Sequence, residues 1–271
     1  MRVSDMKLSI SNIAWSKNED EAVYELMKNY GFSGLEIAPT RLIENHPYEY
    51  LSDALQIVNS IKRKYDLDIA SIQSILFGRT ETLFGAESER KVLIHYLKMA
   101  IGFAAGLRCY NLVFGSPKNR IIEKNEDYGE AVSFFQEIAT NAVIYNTVVS
   151  IEPNPSIYGT NFINRTEEAV QLVKDVNSKG FRVNLDFGTM IENQEEVKDL
   201  KSIIQYVNHV HISEPYLAPI LKRTEHKELA KILKDNGYEK FVSIEMKKNG
   251  LENLAEIEKI LAYVADTFGE E

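Results

Sequence analysis

The sequence predicts an α/β fold, a single (β/α)8 TIM barrel with residues 1–271 as one domain. Three observations predict it. Eight strand-like runs alternate with eight helical ones at about 34 residues per unit, the spacing of such a barrel. Residues able to bind metal or move protons sit at the C-terminal ends of the strands, where barrels of this kind place their chemistry. A doubly wound open sheet would need a glycine-rich phosphate turn after its first strand, and none is present.

The elements follow in order. Residues 7–12 alternate apolar and small polar side chains as a first strand, and a helix over 18–30 opens on Glu19, Asp20 and Glu21, whose charges suit its N-terminus. Strand two covers 34–38 before Pro39, helix two 50–65 and strand three 69–75. The segment 77–88, with Gly78, Gly85 and the apolar pair Leu83 and Phe84, reads as a lid over a site or as a surface loop. Helix three spans 87–105, strand four 109–114 and helix four 125–145, with the loop Gly115-Ser-Pro-Lys-Asn-Arg120 between the last two. Strand five is 148–152, and Thr166 or Asn164 is expected to cap helix five. Strand six is 181–186, helix six 195–206 and strand seven begins at Val207. Helix seven starts near Thr224, strand eight is 241–245 and helix eight starts near Glu252.

Composition narrows the function. A net charge of −9 argues against a nucleic-acid partner, whose phosphates attract concentrated lysine and arginine. No apolar run is long enough for a membrane span, and Met1-Arg-Val-Ser-Asp-Met-Lys lacks the apolar core of a signal peptide, so a cytoplasmic protein is expected. Cys109 is the single cysteine, so no internal disulfide forms, and strand packing is its expected role.

Four runs carry the chemistry. In a strand, alternate side chains face opposite ways, so Val149 and Ile151 lie on one face and Ser150 and Glu152 on the other. The same sorting places Asn184 and Asp186 opposite Val183 and Leu185, His209 and His211 opposite Val210 and Ile212, and Ser243 and Glu245 opposite Val242 and Ile244. The apolar parity suits a face covered by helices, which turns the polar parity inward. A single strand-end carboxylate is more often a helix cap or an ion-pair partner than a ligand. Three carboxylates and one imidazole at one level, Glu152, Asp186, His211 and Glu245, instead describe a metal cage. Such a donor set suits Mn2+ first, with Mg2+, Co2+ or Zn2+ as alternatives. Glu152 and Glu245 are the expected acid–base pair, with Asp186 and His211 mainly holding the ion.

The candidate substrate-binding residues are Trp15, Gln73, Lys118, Arg120, Asn154, His209 and Glu214. Trp15 is either barrel-top packing or a ring beneath a sugar's apolar face. Lys118 and Arg120 are solvated loop charges or a clamp for a phosphate or carboxylate, which would favour an anionic substrate. His209 lies two residues deeper than His211 and reads as a core or supporting histidine rather than a ligand. His46, His95 and His226 read as surface or helix residues with no partner.

With these residues in place, the chain resembles the xylose isomerase-like barrel superfamily of sugar isomerases and epimerases, which includes ketose 3-epimerases, inosose dehydratases and endonuclease IV. The resemblance runs from Ser9-Ile-Ser-Asn12 to the last helix and is carried by Ile151-Glu-Pro-Asn154, Asn184-Leu-Asp-Phe-Gly188, His209-Val-His-Ile-Ser-Glu214 and Ser243-Ile-Glu245. It implies a metal on Glu152, Asp186, His211 and Glu245, with the two glutamates moving a proton through an enediolate. It further implies a small sugar or sugar phosphate as partner, and barrels of this kind commonly form homo-oligomers. The chain departs from the ketose 3-epimerases at Thr189, where they carry a histidine, at Tyr216-Leu-Ala-Pro, where an arginine is usual, and at Tyr158-Gly-Thr-Asn161, the neighbourhood of a substrate-binding glutamate. An inosose dehydratase-like lyase and a catalytically inactive sugar-binding barrel are therefore the competing expectations. The endonuclease branch needs more histidines and aspartates than this chain has.

Overall fold

The computed structural model describes residues 6–122, 128–248 and 254–269. Eight strands pair in parallel, each with its sequence neighbour, and β1 closes the ring on β8. In chain order they are β1 Lys7–Ser11, β2 Gly34–Ile37, β3 Asp68–Ile72, β4 Leu112–Phe114, β5 Val149–Ile151, β6 Phe181–Asp186, β7 Val207–Ile212 and β8 Phe241–Ile244. This is the TIM barrel expected from the alternation of elements.

The outward parity is aliphatic because helices cover it. Val149, Ile151, Val183, Leu185, Val210, Ile212, Val242 and Ile244 are all fully buried, and so are the inward Ser150, Asn184, His211 and Ser243. A strand buried on both faces reads this way in a parallel sheet. Register shifts at Leu35/Glu36 and at Val183/Asn184 set the levels of the inward residues. The second brings Asn184 opposite His209 and Asp186 opposite His211.

The helices are α1 Asp20–Asn29, α2 Pro39–Leu42, α3 Leu51–Tyr65, α4 Glu87–Gly106, α5 Tyr128–Ile144, α6 Thr166–Val176, α7 Phe187–Glu192, α8 Thr224–Asp235 and α9 Leu254–Phe268. Their buried faces follow the helical repeat. In α3, Ala54, Val58, Ile61 and Tyr65 point inward at spacings of three and four, and burying one such side chain contributes about 1.5–3 kcal/mol.

Several sequence expectations are corrected here. The helix expected over 195–206 is instead a pair of 3-10 turns, Val197–Ser202 and Ile204–Tyr206, preceded by α7 directly after β6. Its buried residues Val197 and Leu200 are three apart, the repeat of the tighter helix, and the β-branched pair Ile203 and Ile204 disfavours an α-helical continuation. Strand three ends at Ile72 rather than Ile75, and strand four begins at Leu112 rather than Cys109. At the start of α6 neither Thr166 nor Asn164 caps with its side chain; the Glu168 carboxylate accepts from the Asn164 and Arg165 N–H groups. The expected starts of helix four at Asn125 and of helix eight near Glu252 lie outside the described residues.

The segment 77–88 is anchored to the loop after β4 through Leu83 and Asn119. Leu83 is fully buried, its N–H donates to the Asn119 carbonyl at 2.8 Å, and the buried Asn119 amide donates to the carbonyls of Arg79 (3.2 Å) and Glu81 (2.8 Å). Cys109 is buried, donates to the Asn111 carbonyl, and has its thiol pushed up to about 12 by burial, in keeping with a packing role. His226, expected to lack a partner, is buried under the Phe187 ring with Nδ1 2.9 Å from the Tyr263 hydroxyl. No helix among the described residues is long and apolar enough to cross a membrane.

Candidate metal centre

The four strand-end residues converge. Ligand atoms of Glu152, Asp186, His211 and Glu245 all lie within 4.8 Å of one another, and all four side chains are buried. The centre of the group is marked by His211 Nδ1, which lies 2.8 Å from Glu152 Oε1 and 3.2 Å from Glu245 Oε2.

Each member is held by its neighbours. The Asn184 amide donates to Glu152 Oε1 at 2.7 Å, and the Asn154 amide donates to Glu152 Oε2 at 3.0 Å. Asp186 ends β6 and also caps α7: Oδ1 accepts from the Thr189 N–H at 2.6 Å, while Oδ2 accepts from the Ser213 hydroxyl. The cap reading and the ligand reading of a strand-end aspartate thus coexist in one residue. Gly115 gives Glu152 its room, because a Cβ at that position would lie 2.6 Å from Glu152 Oε2.

Beneath the cage lies a carboxylate that the strand-by-strand reading missed. Glu36 Oε2 is 2.9 Å from His209 Nε2 and 2.9 Å from His211 Nε2, and Glu36 is fully buried. Its signal was legible: Leu35 and Ile37 are an apolar pair and Glu36 takes the inward parity between them, as in the four runs singled out from the sequence.

The electrostatics favour a cation. Burial pushes the Glu245 carboxyl up to about 7 against the pull of His211, with Glu152 and Glu36 adding to the rise. Burial and then Glu152 push Asp186 up to about 6. Burial lowers the His211 imidazole, but Glu36 and Glu245 outweigh it and hold the ring well above the usual histidine range. Burial raises Glu36 too, and the two imidazoles reverse that to leave it well below the usual carboxylate range. Four buried carboxylates facing two imidazoles carry a surplus of negative charge that a divalent ion relieves, so the donor set fits such an ion.

The expected substrate-binding residues fare differently. Arg120 is no clamp. It is fully buried, and its guanidinium donates to the carbonyls of Gly115 (2.7 Å), Phe162 (2.7 Å), Ile163 (3.3 Å) and Glu152 (2.8 Å) and to Asn154 Oδ1 (2.5 Å). Its donors are spent on the protein itself. Glu214 is buried and both its oxygens are taken by Arg223, through Nε at 2.8 Å and a terminal nitrogen at 2.6 Å, so substrate contact is corrected to an ion pair. Trp15 is buried, donates to Asp20 Oδ1 at 2.7 Å and packs edge-on against Tyr24, the packing alternative of its two expected roles. His209 faces Glu36, the supporting alternative. Gln73 is buried with its amide on Ser11 Oγ at 3.0 Å. Asn154 serves Glu152 and Arg120, and Lys118 is exposed.

Near the cage stands Tyr158, which sequence reasoning noted only as a departure. Its hydroxyl accepts from the Tyr216 N–H at 2.7 Å, and burial raises its pKa, with Asp186, Glu245 and Glu152 contributing through their charge. Tyr216 and Leu217 both adopt positive φ, 63° and 55°, a costly backbone for non-glycine residues that tends to occur near working sites.

Fold and site together define a (β/α)8 barrel with a metal-competent centre at the C-terminal ends of β5 to β8. Residues 24–266 match the xylose isomerase-like TIM barrel family, and the chain belongs to that family. Solved structures agree on the fold. The chain is similar to 3-keto-D-glucoside 4-epimerase from E. coli at a TM-score of 0.78 and 16% identity, covering 96% of this chain and 99% of that one. It is similar to D-psicose 3-epimerase from Clostridium cellulolyticum H10, solved with D-tagatose, at 0.79 and 17%, covering 98% and 100%. A third similar structure is a "probable 3-DHS dehydratase" from Bacillus anthracis, at 0.68 and 17%, covering 96% and 98%. Among curated proteins no sequence matches the chain.

Proposed function

We propose that the chain is a divalent-metal-dependent isomerase or epimerase of a sugar or sugar phosphate. The observation that carries the reading is the convergence of Glu152, Asp186, His211 and Glu245 within one 4.8 Å cluster, all buried at the end of the barrel where this fold does chemistry. Glu152, Asp186, Nδ1 of His211 and Glu245 would hold the ion, Mn2+ first by the hardness of the set. When bound, such an ion polarises a substrate carbonyl and its neighbouring hydroxyl and lowers the cost of an enediolate.

The chain's own residues supply the proton steps. Glu152 and Glu245 come from β5 and β8 and approach the same imidazole nitrogen from different strands, so one removes a proton from the carbon beside the carbonyl and the other returns it. Asn154 and Asn184 fix the Glu152 oxygens so that its rotamer is set before substrate arrives. With Arg120 committed to backbone carbonyls, Lys118 is what remains of the expected anion clamp.

The test is exchange of substrate C–H protons with solvent deuterium over a panel of aldoses, ketoses and their phosphates. Wild type with Mn2+ is expected to exchange, and Glu152→Gln and Glu245→Gln are each expected to slow exchange by about 10²–10⁴-fold. Unchanged exchange in both variants overturns the mechanism. A product lighter by one water assigns the lyase chemistry instead, and tight Mn2+ binding without exchange on any sugar assigns a binding barrel.

A further inference from the structure

We propose that Glu36 is a positioning residue for the metal centre: it holds His211 by Nε2 so that Nδ1 is presented to the ion, and His209 in turn holds Glu36. This rests on the reading of the four-residue cage as a divalent-ion site.

A carboxylate only accepts, so each imidazole nitrogen 2.9 Å from Glu36 Oε2 carries its proton toward that oxygen. For His211 this fixes a proton on Nε2, so Nδ1, which lies 2.8 Å from Glu152 Oε1, 3.2 Å from Glu245 Oε2 and 3.1 Å from the Asn184 amide, is the nitrogen free to give up its proton and offer a lone pair to an ion entering among those oxygens. Which nitrogen of a ligating histidine faces the metal is commonly set by a hydrogen bond of this kind on the other nitrogen.

A buried carboxylate is costly, so its remaining contacts are informative. Glu36 Oε1 has no hydrogen-bond partner among the described residues; everything the side chain accepts, it accepts through Oε2 from the two imidazoles. Those rings stand edge to face, with centroids 5.2 Å apart, and so approach one oxygen from two directions. Glu36 lies on β2 and pairs in register with Ser11 of β1, across the barrel from β7, which carries both histidines. The contact therefore spans the barrel interior and fixes the His211 ring against rotation. Among the described residues His209 makes no hydrogen bond to a cage carboxylate; its hydrogen bond toward the site is the one to Glu36 Oε2, beside its edge-to-face packing on His211.

Three variants test this: Glu36→Gln, His209→Gln and the double variant, each compared with wild type for Mn2+ affinity by calorimetry and for thermal unfolding of the metal-free chain. Glu36→Gln is expected to weaken Mn2+ binding by about 10–100-fold, the usual cost of losing such a support. His209→Gln is expected to weaken it less. Adding His209→Gln to Glu36→Gln is expected to cost nothing further, because both act through the same oxygen. The His211 Nε2–H proton resonance, read in the Zn2+-loaded protein, is expected downfield in wild type and to move upfield in Glu36→Gln; general loosening of the fold would not single out that proton. Wild-type Mn2+ affinity in Glu36→Gln, additive losses in the double variant, or two ions per chain with the second on Glu36, His209 and His211 would each overturn the inference. A wild type that binds no Mn2+ overturns instead the reading of the cage on which it rests. If Glu36→Gln does not fold, the resonance and affinity of His209→Gln decide, an unmoved pair of values overturning the proposal.

Discussion

Glu152 is fixed by two amides, and Gly115 leaves it the space to be so fixed. Gly115→Ala would drive a methyl group into the carboxylate, so the variant is expected to lower proton exchange and Mn2+ affinity by tenfold or more, about 1.4 kcal/mol of misplacement each. Its thermal stability should change by only about 1–3 kcal/mol, the usual cost of overpacking. Calorimetry beside thermal denaturation checks both halves. Arg120 makes the opposite prediction. Arg120→Met leaves carbonyls of Gly115, Phe162 and Glu152 without their donor in a buried place and is expected to cost about 3–5 kcal/mol of stability, measured by urea denaturation, whatever the substrate's charge.

Among the elements, what could be read from sequence was whatever strand alternation controls. The ends of β5 to β8 were legible because Ser150 and Glu152, Asn184 and Asp186, His209 and His211, and Ser243 and Glu245 share one parity, and the same parity rule carries the barrel itself. Glu36 obeyed that rule too, but β2 is four residues long and offers one polar position, which is too little repetition to stand out. Arg120 was misread for a different reason: a loop cation announces nothing about whether distant carbonyls, here those of Phe162 and Ile163, will fold over it. The stretch 195–206 has helical composition, but the short connection into β7 tightened it into 3-10 turns. The loop after β3 was legible in its apolar anchors and not in its attachment to the loop after β4, because Asn119 lies in that other loop. Asn119→Ala is expected to destabilise the protein by about 1–3 kcal/mol and to speed backbone amide exchange in 77–86 ahead of the barrel strands.

For the molecule as a whole, two dependences follow. A divalent ion that binds the folded cage and not the unfolded chain adds stability by mass action, about 2.7 kcal/mol at a hundredfold excess over its dissociation constant. Chelation is therefore expected to lower the unfolding temperature and added Mn2+ to restore it. Without the ion, Glu152→Gln is expected to unfold no earlier than wild type, since it removes one of the crowded charges. The second dependence comes from His226. Burial holds its ring down to about 4 from an ordinary 6.5, so between those values the unfolded chain binds more protons than the folded one. The stability it contributes is complete above pH 6.5 and is lost as pH falls toward 4. His226→Gln is expected to flatten the fall of unfolding temperature across that window, as measured by calorimetric scans.

The guanidinium of Arg120 ties the loop after β4 to the loop after β5, with Gly115 on one side and Glu152, Asn154, Phe162 and Ile163 on the other. Those two loops consequently behave as one cassette. Anyone grafting a relative's loop onto this scaffold to redirect its sugar preference would have to transplant residues 115–120 and 153–165 together, since a chimera carrying either piece alone inherits half of a knot.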